Sequence, residues 1–295
     1  MYRIGFFGDG LWAANFLRDI CAENFFEIVF VALRNETSDT TLRKIAIENN
    51  LPIMRFNSIN AKINENTFTK MNLDLFVSIS YDQIFKKNIY NIPKNGTINC
   101  HTSLLPFYRG RNPLNWALIN NEKKFGITAH FVDDGIDTGD IIYQKSYPIK
   151  NTDNYSSLLN LAFIECAKVT FTAIKMIAKK KFKRIPQTRI HKQGSYCSRR
   201  VSGDEIINWS QNSLDIFNFV RALDFPGPIA TTYLNNQEVK IKKVALIKDA
   251  VKFLGVPGSI INCDVGFYVI KTLDTSIKLI EYESKEKLKV GCRFI

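Results

Sequence analysis

The first half of the chain alternates short apolar runs with segments in which apolar residues recur at helical intervals. Tyr2–Phe7 and Phe26–Leu33 have the length and character of strands, whereas Leu11–Asn24 and Leu42–Asn50 have helical spacing. Two more strands and a long helix are predicted at Leu73–Ile79, Gly96–Cys100 and Tyr155–Lys179. Strands that alternate with helices form parallel sheets covered by helices. The pattern predicts an α/β domain with a mostly parallel sheet.

The pattern changes near residue 200, beyond which short alternating strands dominate. Ser213–Leu223 has helical spacing, and Phe225–Pro228 is a turn. The strands predicted after the turn are Ala230–Leu234, Val239–Leu246, Gly258–Asn262, Gly266–Thr272, Ser276–Tyr282 and Lys287–Cys292. Short strands separated by turns are typical of a small barrel or meander. We therefore predict one domain over residues 1–200 and a small β-rich, barrel-like domain over residues 201–295.

Composition excludes several classes of protein. The 295 residues include 45% hydrophobic and 23% charged residues, which is ordinary globular composition and excludes disorder, collagen and coiled coil for the whole chain. The richest apolar stretch, Phe25–Leu33, is far shorter than the roughly 20 residues of a membrane span. The first residues lack the features of a signal peptide. We expect a cytoplasmic protein that does not enter the membrane.

The cysteines do not indicate a metal site or a disulfide framework. The six cysteines are scattered without any CxxC pair, and only three histidines are present, none of them near a cysteine pair. A chain of this length can build its core without disulfide bonds. We expect reduced thiols and no bound metal.

Two further features each allow a functional and a simpler interpretation. Gly8–Ala13 fits the dinucleotide fingerprint G-x-G-x-x-A, but any strand–helix unit with a tight first turn can show it, so a turn that binds no dinucleotide is favoured. A nucleotide-binding protein or oxidoreductase remains the alternative. Residues Lys168 to Gly203 contain no Asp or Glu, and the net charge is +12. This stretch lacks interleaved aromatic residues, which favours a solvated helix end and linker over a nucleic-acid surface.

The sharpest candidate chemistry begins at the end of a predicted strand. Asn99 and His101 share one face of that strand because residues two apart point the same way. An amide donor beside an imidazole can pair an oxyanion stabiliser with a proton acceptor. The loop at Asp133, Asp134 and Asp137 supplies a carboxylate that could stabilise the histidine cation.

These residues carry a family resemblance. Asn99–Gly110 reads N-x-H-x-S-L-L-P-x-Y-R-G, Gly126–His130 reads G-x-T-x-H, and Asp133–Gly139 reads D-x-G-x-D-x-G. In this order the motifs resemble the formyltransferase superfamily, whose members use 10-formyltetrahydrofolate. The resemblance implies a Rossmann-like N-terminal catalytic domain and a small barrel-like C-terminal domain. It also implies that Gly8–Gly10 belongs to a sheet that binds no dinucleotide.

The resemblance also implies roles for individual residues. Asn99 matches the polarising amide, His101 the catalytic base and Asp137 the carboxylate that tunes it, whereas we interpret His130 as structural. The implied folate-binding positions are Gln83, Ile84, Phe85, Arg111, Asp133, Asp134, Gly135 and Ile136. The candidates for binding the second substrate are Tyr81, Arg109 and Arg221.

The amine that accepts the formyl group is the open question. The residues after 203 argue against a glycinamide ribonucleotide enzyme, which usually lacks a second domain. Gly8–Gly10 and Arg109–Trp116 resemble enzymes that formylate dTDP- or UDP-linked amino sugars for surface polysaccharide, and this acceptor is favoured. Methionyl-tRNA is the alternative, although such enzymes carry a basic loop where Arg34–Leu42 has one basic residue. Hydrolysis of the formyl donor without an acceptor also stays open. We expect no nucleic-acid partner and a homodimer.

Overall fold

The structure is a computed structural model that describes every residue from Met1 to Ile295. The chain packs as two compact units. The first comprises Met1–Pro113, Phe125–Tyr147 and Asn160–Cys197, and the second comprises Leu114–Lys124, Pro148–Leu159 and Ser198–Ile295. We keep the predicted division near residue 200 as a proposal for the domain boundary.

The chain forms fourteen strands and seven α-helices. In chain order the strands are β1 (Tyr2–Gly8), β2 (Phe26–Leu33), β3 (Ile53–Arg55), β4 (Leu75–Ile79), β5 (Thr97–His101), β6 (Arg109–Gly110), β7 (Lys124–Phe131), β8 (Ile141–Pro148), β9 (Tyr196–Cys197), β10 (Ala230–Leu234), β11 (Gln237–Leu246), β12 (Ile260–Asp264), β13 (Phe267–Lys271) and β14 (Ser276–Ser284). The helices are α1 (Gly10–Cys21), α2 (Thr41–Glu48), α3 (Lys62–Lys70), α4 (Lys87–Tyr90), α5 (Pro113–Ile119), α6 (Tyr155–Ala178) and α7 (Ser213–Ala222). None of the helices is both long and apolar enough to cross a membrane.

The first unit is built around a seven-stranded sheet in the order β3-β2-β1-β4-β5-β7-β8. The strands from β3 to β5 pair in parallel, whereas β7 runs antiparallel to β5. The predicted α/β fold with a mostly parallel sheet is therefore confirmed. Because the carboxyl ends of parallel strands meet at one edge, β1, β4 and β5 deliver the residues that follow them to the same place.

The centre of this sheet is packed with aromatic side chains. Phe7 on β1 is fully buried and meets the rings of Phe30 and Phe76 edge-on, at centroid distances of 5.3 and 5.0 Å. The neighbouring Gly5 leaves room for the same two rings, because a Cβ there would lie 2.7 Å from each of them. At the end of β1, a Cβ on Gly8 would lie 2.7 Å from the Cβ of Ala13. Close packing alone thus accounts for a glycine in the fingerprint-like turn.

The second unit contains a five-stranded antiparallel sheet in the order β10-β11-β14-β13-β12. Ile216 and Val220 of α7 join the buried residues of this sheet in one apolar core. The predicted small β-rich C-terminal domain is confirmed, but the strand predicted at Lys287–Cys292 is wrong. That segment turns at Gly291, where φ is +92°, and its backbone contacts with β12 are confined to Ile260, which bonds Gly291 and Cys292.

Candidate active site

A cavity of about 580 Å³ lies in the first unit at the carboxyl ends of β4 and β5. Its lining includes Asn99, His101 and Asp137, together with residues of the loops after β4 and β7. Open α/β sheets bind ligands at this edge, where backbone groups and side chains from several loops converge. The fold therefore brings the three predicted catalytic residues to one concave site.

Strand pairing sets the position of Asn99. It lies on β5 directly opposite His130 of β7, and the two side chains approach each other with Nδ2 3.4 Å from the histidine Nε2. Nδ2 of Asn99 also lies 3.4 Å from Oδ1 of Asp137. The amide is thus held between a ring nitrogen and a carboxylate while its residue lines the cavity.

The imidazole of His101 is buried, with 7% of the residue exposed, and has an acceptor on each side. Its Nε2 lies 2.7 Å from the carbonyl oxygen of Tyr108, and its Nδ1 lies 3.5 Å from Oδ2 of Asp137. A carbonyl can only accept, so Nε2 donates the hydrogen in the neutral ring and the lone pair is on Nδ1. Nδ1 is therefore the atom that can take a proton.

Asp137 is the centre of the polar cluster. Its Oδ2 accepts a hydrogen bond of 2.9 Å from the backbone N–H of Gly110, and its Oδ1 lies 3.5 Å from Nε2 of His130. Burial by itself raises the pKa of this carboxyl, but His101, His130 and the Gly110 N–H outweigh it and hold the pKa well below its usual range. The site therefore keeps a negative charge beside two imidazoles.

Four non-glycine residues that line or adjoin the cavity have left-handed backbone conformations. The φ angles are +58° at Ser80, +58° at Tyr108, +56° at Asn112 and +53° at Asp137. Asn and Asp tolerate this region, whereas it costs other residues of the order of 1–3 kcal/mol. Tyr108 supplies the backbone carbonyl that binds His101, and Asp137 supplies the carboxylate that faces the same ring. Of the four, Ser80 and Tyr108 are the residues that bear backbone strain.

His130, interpreted from the sequence as structural, lies against two of the predicted catalytic residues. Its Nδ1 lies 2.8 Å from the carbonyl of Phe131, which fixes the ring, while Nε2 faces both Asn99 and Asp137. The G-x-T-x-H motif contained the residue, but only the register of β5 with β7 shows that it faces Asn99. His130 is therefore part of the polar cluster.

The predicted folate positions meet the cavity in different ways. Both polar atoms of the Gln83 side chain bond backbone groups, with Oε1 2.7 Å from the N of Ile59 and Nε2 2.6 Å from the O of Phe56. This side chain thus fixes the loop and leaves recognition to the backbone. Asp134 does not line the cavity and instead accepts a 2.9 Å hydrogen bond from Tyr90. All the other predicted positions line the cavity: Gln83, Ile84, Phe85, Arg111, Asp133, Gly135 and Ile136.

Family models match both parts of the chain. Residues 3–168 match the model described as formyl transferase, and residues 201–293 match the formyl transferase C-terminal domain. The chain belongs to the formyltransferase family. This match confirms the family resemblance and the enzyme class that the motifs predicted. The chain is a formyltransferase, and the alternative of an oxidoreductase is not supported.

Two relatives of this formyltransferase have different names. A methionyl-tRNA formyltransferase of Mycoplasma mycoides subsp. mycoides SC is 32% identical over 97% of this chain and 91% of its own length. The bifunctional polymyxin resistance protein ArnA of Wigglesworthia glossinidia brevipalpis is 34% identical, over 76% of this chain and 33% of that protein. The family is therefore clear, whereas sequence identity leaves the acceptor open.

Among solved structures, WlaRD is similar to this formyltransferase over nearly the whole length of both chains. It is described as a sugar 3N-formyl transferase in the presence of dTDP and 5-N-formyl-THF, and it is 27% identical, with a TM-score of 0.73 over 98% of this chain and 99% of its own. An N-formyltransferase from Helicobacter canadensis has the same TM-score at 23% identity, covers 96% of this chain and 100% of its own, and shows the shared fold.

The predicted substrate-binding residues are not all at the cavity. Tyr81 lines it, and its hydroxyl is buried without a hydrogen-bond partner. Arg109 and Arg221 do not line it, and both are buried with their guanidinium groups engaged. Arg109 contacts Gln187, and Arg221 donates to the carbonyl of Lys150 within the second unit. These contacts occupy both guanidinium groups, and a role of Arg109 or Arg221 in binding the second substrate stays a prediction.

Arg34 is a cavity residue that the sequence did not single out as functional. It follows β2 and reaches Ser80, whose Oγ lies 2.9 Å from Nη2. Nη1 lies 3.5 Å from Oδ2 of Asp9, and the buried Nε has no hydrogen-bond partner. A partly exposed guanidinium in the lining of a cavity is suited to an anionic ligand. Arg34 was visible in the sequence only as the single basic residue after β2.

Proposed function

We propose that this formyltransferase transfers the formyl group of 10-formyltetrahydrofolate to the amino group of a dTDP- or UDP-linked amino-deoxy sugar, for surface polysaccharide. The observation that carries formyl transfer is the arrangement of Asn99, His101 and Asp137 around the floor of one cavity. The loop at Gln83–Phe85 and the segment Val132–Asp137 would hold the donor. The cavity of about 580 Å³ lies within the size range of small-molecule sites.

Each member of the cluster has a distinct task in transfer to an amine. The amine forms a bond to the formyl carbon of the donor, the bond from that carbon to the donor nitrogen breaks, and the proton held by His101 passes to the departing nitrogen. Nδ1 of His101 takes the proton that the amine releases, and Asp137 stabilises the resulting imidazolium from 3.5 Å. The Asn99 amide donates a hydrogen bond to the negative charge that develops on the formyl oxygen, a role worth roughly 3–4 kcal/mol per donor. His130 orients the amide and the carboxylate together.

The structure supports an anionic small molecule as the acceptor. Arg34 lines the cavity with 26% of its side chain exposed, and a pyrophosphate needs only one or two such cations. The chain also passes from β2 at Leu33 to α2 at Thr41 without a basic loop. The full-length likeness to WlaRD favours the same acceptor class.

Methionyl-tRNA is the second candidate acceptor. It is favoured by the relative that is 32% identical over 97% of this chain, and by the acid-free basic stretch from Lys168 to Gly203. Binding tRNA would neutralise many phosphates at once. The affinity would then fall roughly a thousandfold or more between about 50 and 200 mM salt if 6–10 phosphates were contacted.

A panel of amines tests the proposal. The full chain is given 10-formyltetrahydrofolate with dTDP- and UDP-linked 3- and 4-amino sugars, with methionyl-tRNA, or with no acceptor, at low and high salt. We expect formylation of at least one amino sugar. Its KM should change little with salt, because salt screens a partly enclosed contact between the pyrophosphate and the protein less than an exposed one. Formylation of methionyl-tRNA alone would replace the first acceptor by the second. Formate release without an amine would instead indicate hydrolysis.

Replacing Arg34 tests the anionic acceptor directly. In Arg34→Met, the KM for the amino-sugar nucleotide should rise about tenfold or more, because a charge-assisted hydrogen bond contributes about 1.5–3 kcal/mol. The kcat and the KM for the donor should change little. Steady-state kinetics with each substrate varied in turn measures both effects.

Arg18→Met is the matched control, since Arg18 lies on the exposed surface of α1 and contacts only the nearby Asn15. It should leave both KM values unchanged. An Arg34→Met enzyme with an unaltered KM for the sugar nucleotide would remove Arg34 from the acceptor site.

We also propose that the chain works as a homodimer in the cytoplasm, and light scattering checks the oligomeric state.

A further inference from the structure

Gln187 is buried behind the candidate active site, with 2% of the residue exposed. Its Nε2 donates two hydrogen bonds of 2.8 Å, one to the carbonyl of Asp137 and one to the carbonyl of Gly139. Its Oε1 accepts two from Arg109, at 3.0 Å from Nε and 2.8 Å from Nη2. All four hydrogen-bonding capacities of the amide are therefore used.

The orientation of this amide is fixed by its neighbours. Arg109 can only donate and the two carbonyls can only accept, so the amide oxygen must face the guanidinium. Arg109 is itself held by the carbonyl of Gln193, 3.0 Å from Nη1, and by the ring of Tyr196, whose centroid lies 5.2 Å from its guanidinium carbon. These contacts hold the buried side chains of Arg109 and Gln187 in one orientation.

Arg109 and Gln187 complete a ring of hydrogen bonds around Asp137. Arg109 is followed by Gly110, whose N–H holds the Asp137 carboxylate at 2.9 Å. Gln187 holds the backbone carbonyl of the same residue, and the Gln187 amide returns to Arg109. On the far side, a Cβ on Gly139 would lie 1.9 Å from the carbonyl oxygen of Phe131, so the loop has no room to relax in that direction.

We propose that Gln187 and Arg109 are positioning residues that fix the carboxylate of Asp137 between His101 and His130. Neither residue lines the cavity, so neither acts on a substrate directly. They act through Asp137, whose backbone carbonyl accepts from Gln187 and whose carboxylate accepts from the N–H of the residue after Arg109. A displacement of a catalytic group by about 1 Å can cost about a hundredfold in rate. The proposal rests on the proposed function, in which Asp137 stabilises the imidazolium.

The test is a double-mutant cycle on the full chain, because a residue that acts through Asp137 loses its effect when Asp137 is absent. Gln187→Glu keeps the acceptor for Arg109 but places a carboxylate oxygen against the carbonyls of Asp137 and Gly139. The change is made in the wild-type and in the Asp137→Ala backgrounds. Formyl transfer is measured with the acceptor from the panel that gives the highest rate, and thermal melting is recorded for every variant.

In the wild-type background, Gln187→Glu should lower kcat about 10- to 100-fold with KM values nearly unchanged. In the Asp137→Ala background the same change should lower the residual kcat by less than about threefold. The matched control is Gln237→Glu on the exposed start of β11, which should not alter kcat in either background. If Gln187→Glu does not fold, Arg109→Lys replaces it, since lysine keeps the charge but loses the two-pronged contact.

An equal loss of kcat in both backgrounds would overturn the positioning role and leave Gln187 as a purely structural residue. So would wild-type kcat in folded Gln187→Glu or Arg109→Lys enzyme, or a change confined to KM. An Asp137→Ala enzyme with wild-type kcat contradicts the proposed function instead. The two failures are therefore distinguishable.

Discussion

A His101→Ala enzyme should turn over at most about one-hundredth as fast as the wild type, with its fold intact. The imidazole Nδ1 is the proton acceptor of the site, and its orientation depends on the 2.7 Å contact between Nε2 and the Tyr108 carbonyl. Alanine removes the base and leaves that carbonyl and the Asp137 carboxylate facing empty space. Single-turnover and steady-state assays of formyl transfer, together with a thermal melt, measure the effect.

Asn99→Ala should cause a loss of similar size, because it removes the donor for the developing oxyanion. The matched control is Asn88→Ala, an exposed amide on α4 that bonds only Glu65, at 3.0 Å. It should retain wild-type turnover. A folded His101→Ala protein with wild-type turnover would contradict the assignment of the base.

The Asp137→Asn enzyme should lose a factor of about a hundred or more in kcat. Asparagine keeps the shape of the side chain but removes the charge that the imidazolium of His101 needs at 3.5 Å. It also gives the side chain an NH₂ group that competes with Asn99 for the same neighbours. Initial rates at saturating substrates measure the loss, and near-normal kcat would show that the carboxylate is not required.

The pH dependence of stability gives an independent test of the same residue. The pKa of Asp137 is lower in the folded protein than in the unfolded chain. The charged carboxylate therefore contributes stability that is fully present above about pH 4, the unfolded value, and is lost as the pH falls through the lowered folded value. The free energy of unfolding of wild type relative to Asp137→Asn should thus shrink below about pH 4. A difference that grows towards acid would contradict the lowered pKa.

Local patterns were sufficient to predict much of the fold. The apolar strand predicted at Phe26–Leu33 has the observed bounds, and the helix predicted at Tyr155–Lys179 ends one residue earlier, at Ala178. The candidate trio could be proposed because strand periodicity puts Asn99 and His101 on one face and the motif places Asp137 downstream. Each of these inferences depends on neighbours in sequence.

Long-range pairing could not be predicted in the same way. His130 faces Asn99 only because β7 runs antiparallel to β5 in one register, which no local pattern specifies. Arg109 was expected to reach a substrate, yet Gln187, far along the chain, captures its guanidinium. Lys287–Cys292 has the alternation of a strand, but the turn at Gly291 ends the extended backbone. In each case a distant partner or a single backbone angle overrides the local preference.

The left-handed residues around the cavity bear on how this enzyme would respond to laboratory evolution. Glycine at Ser80 or Tyr108 would relieve backbone strain, so a selection for heat resistance alone should favour such changes. Glycine at Tyr108 would also let the carbonyl that orients His101 move. Glycine at Ser80 would loosen the loop that carries the partner of Arg34. Selection for heat resistance should therefore enrich stable, slow enzymes, and a library screened for both properties should keep its gains away from this edge of the sheet.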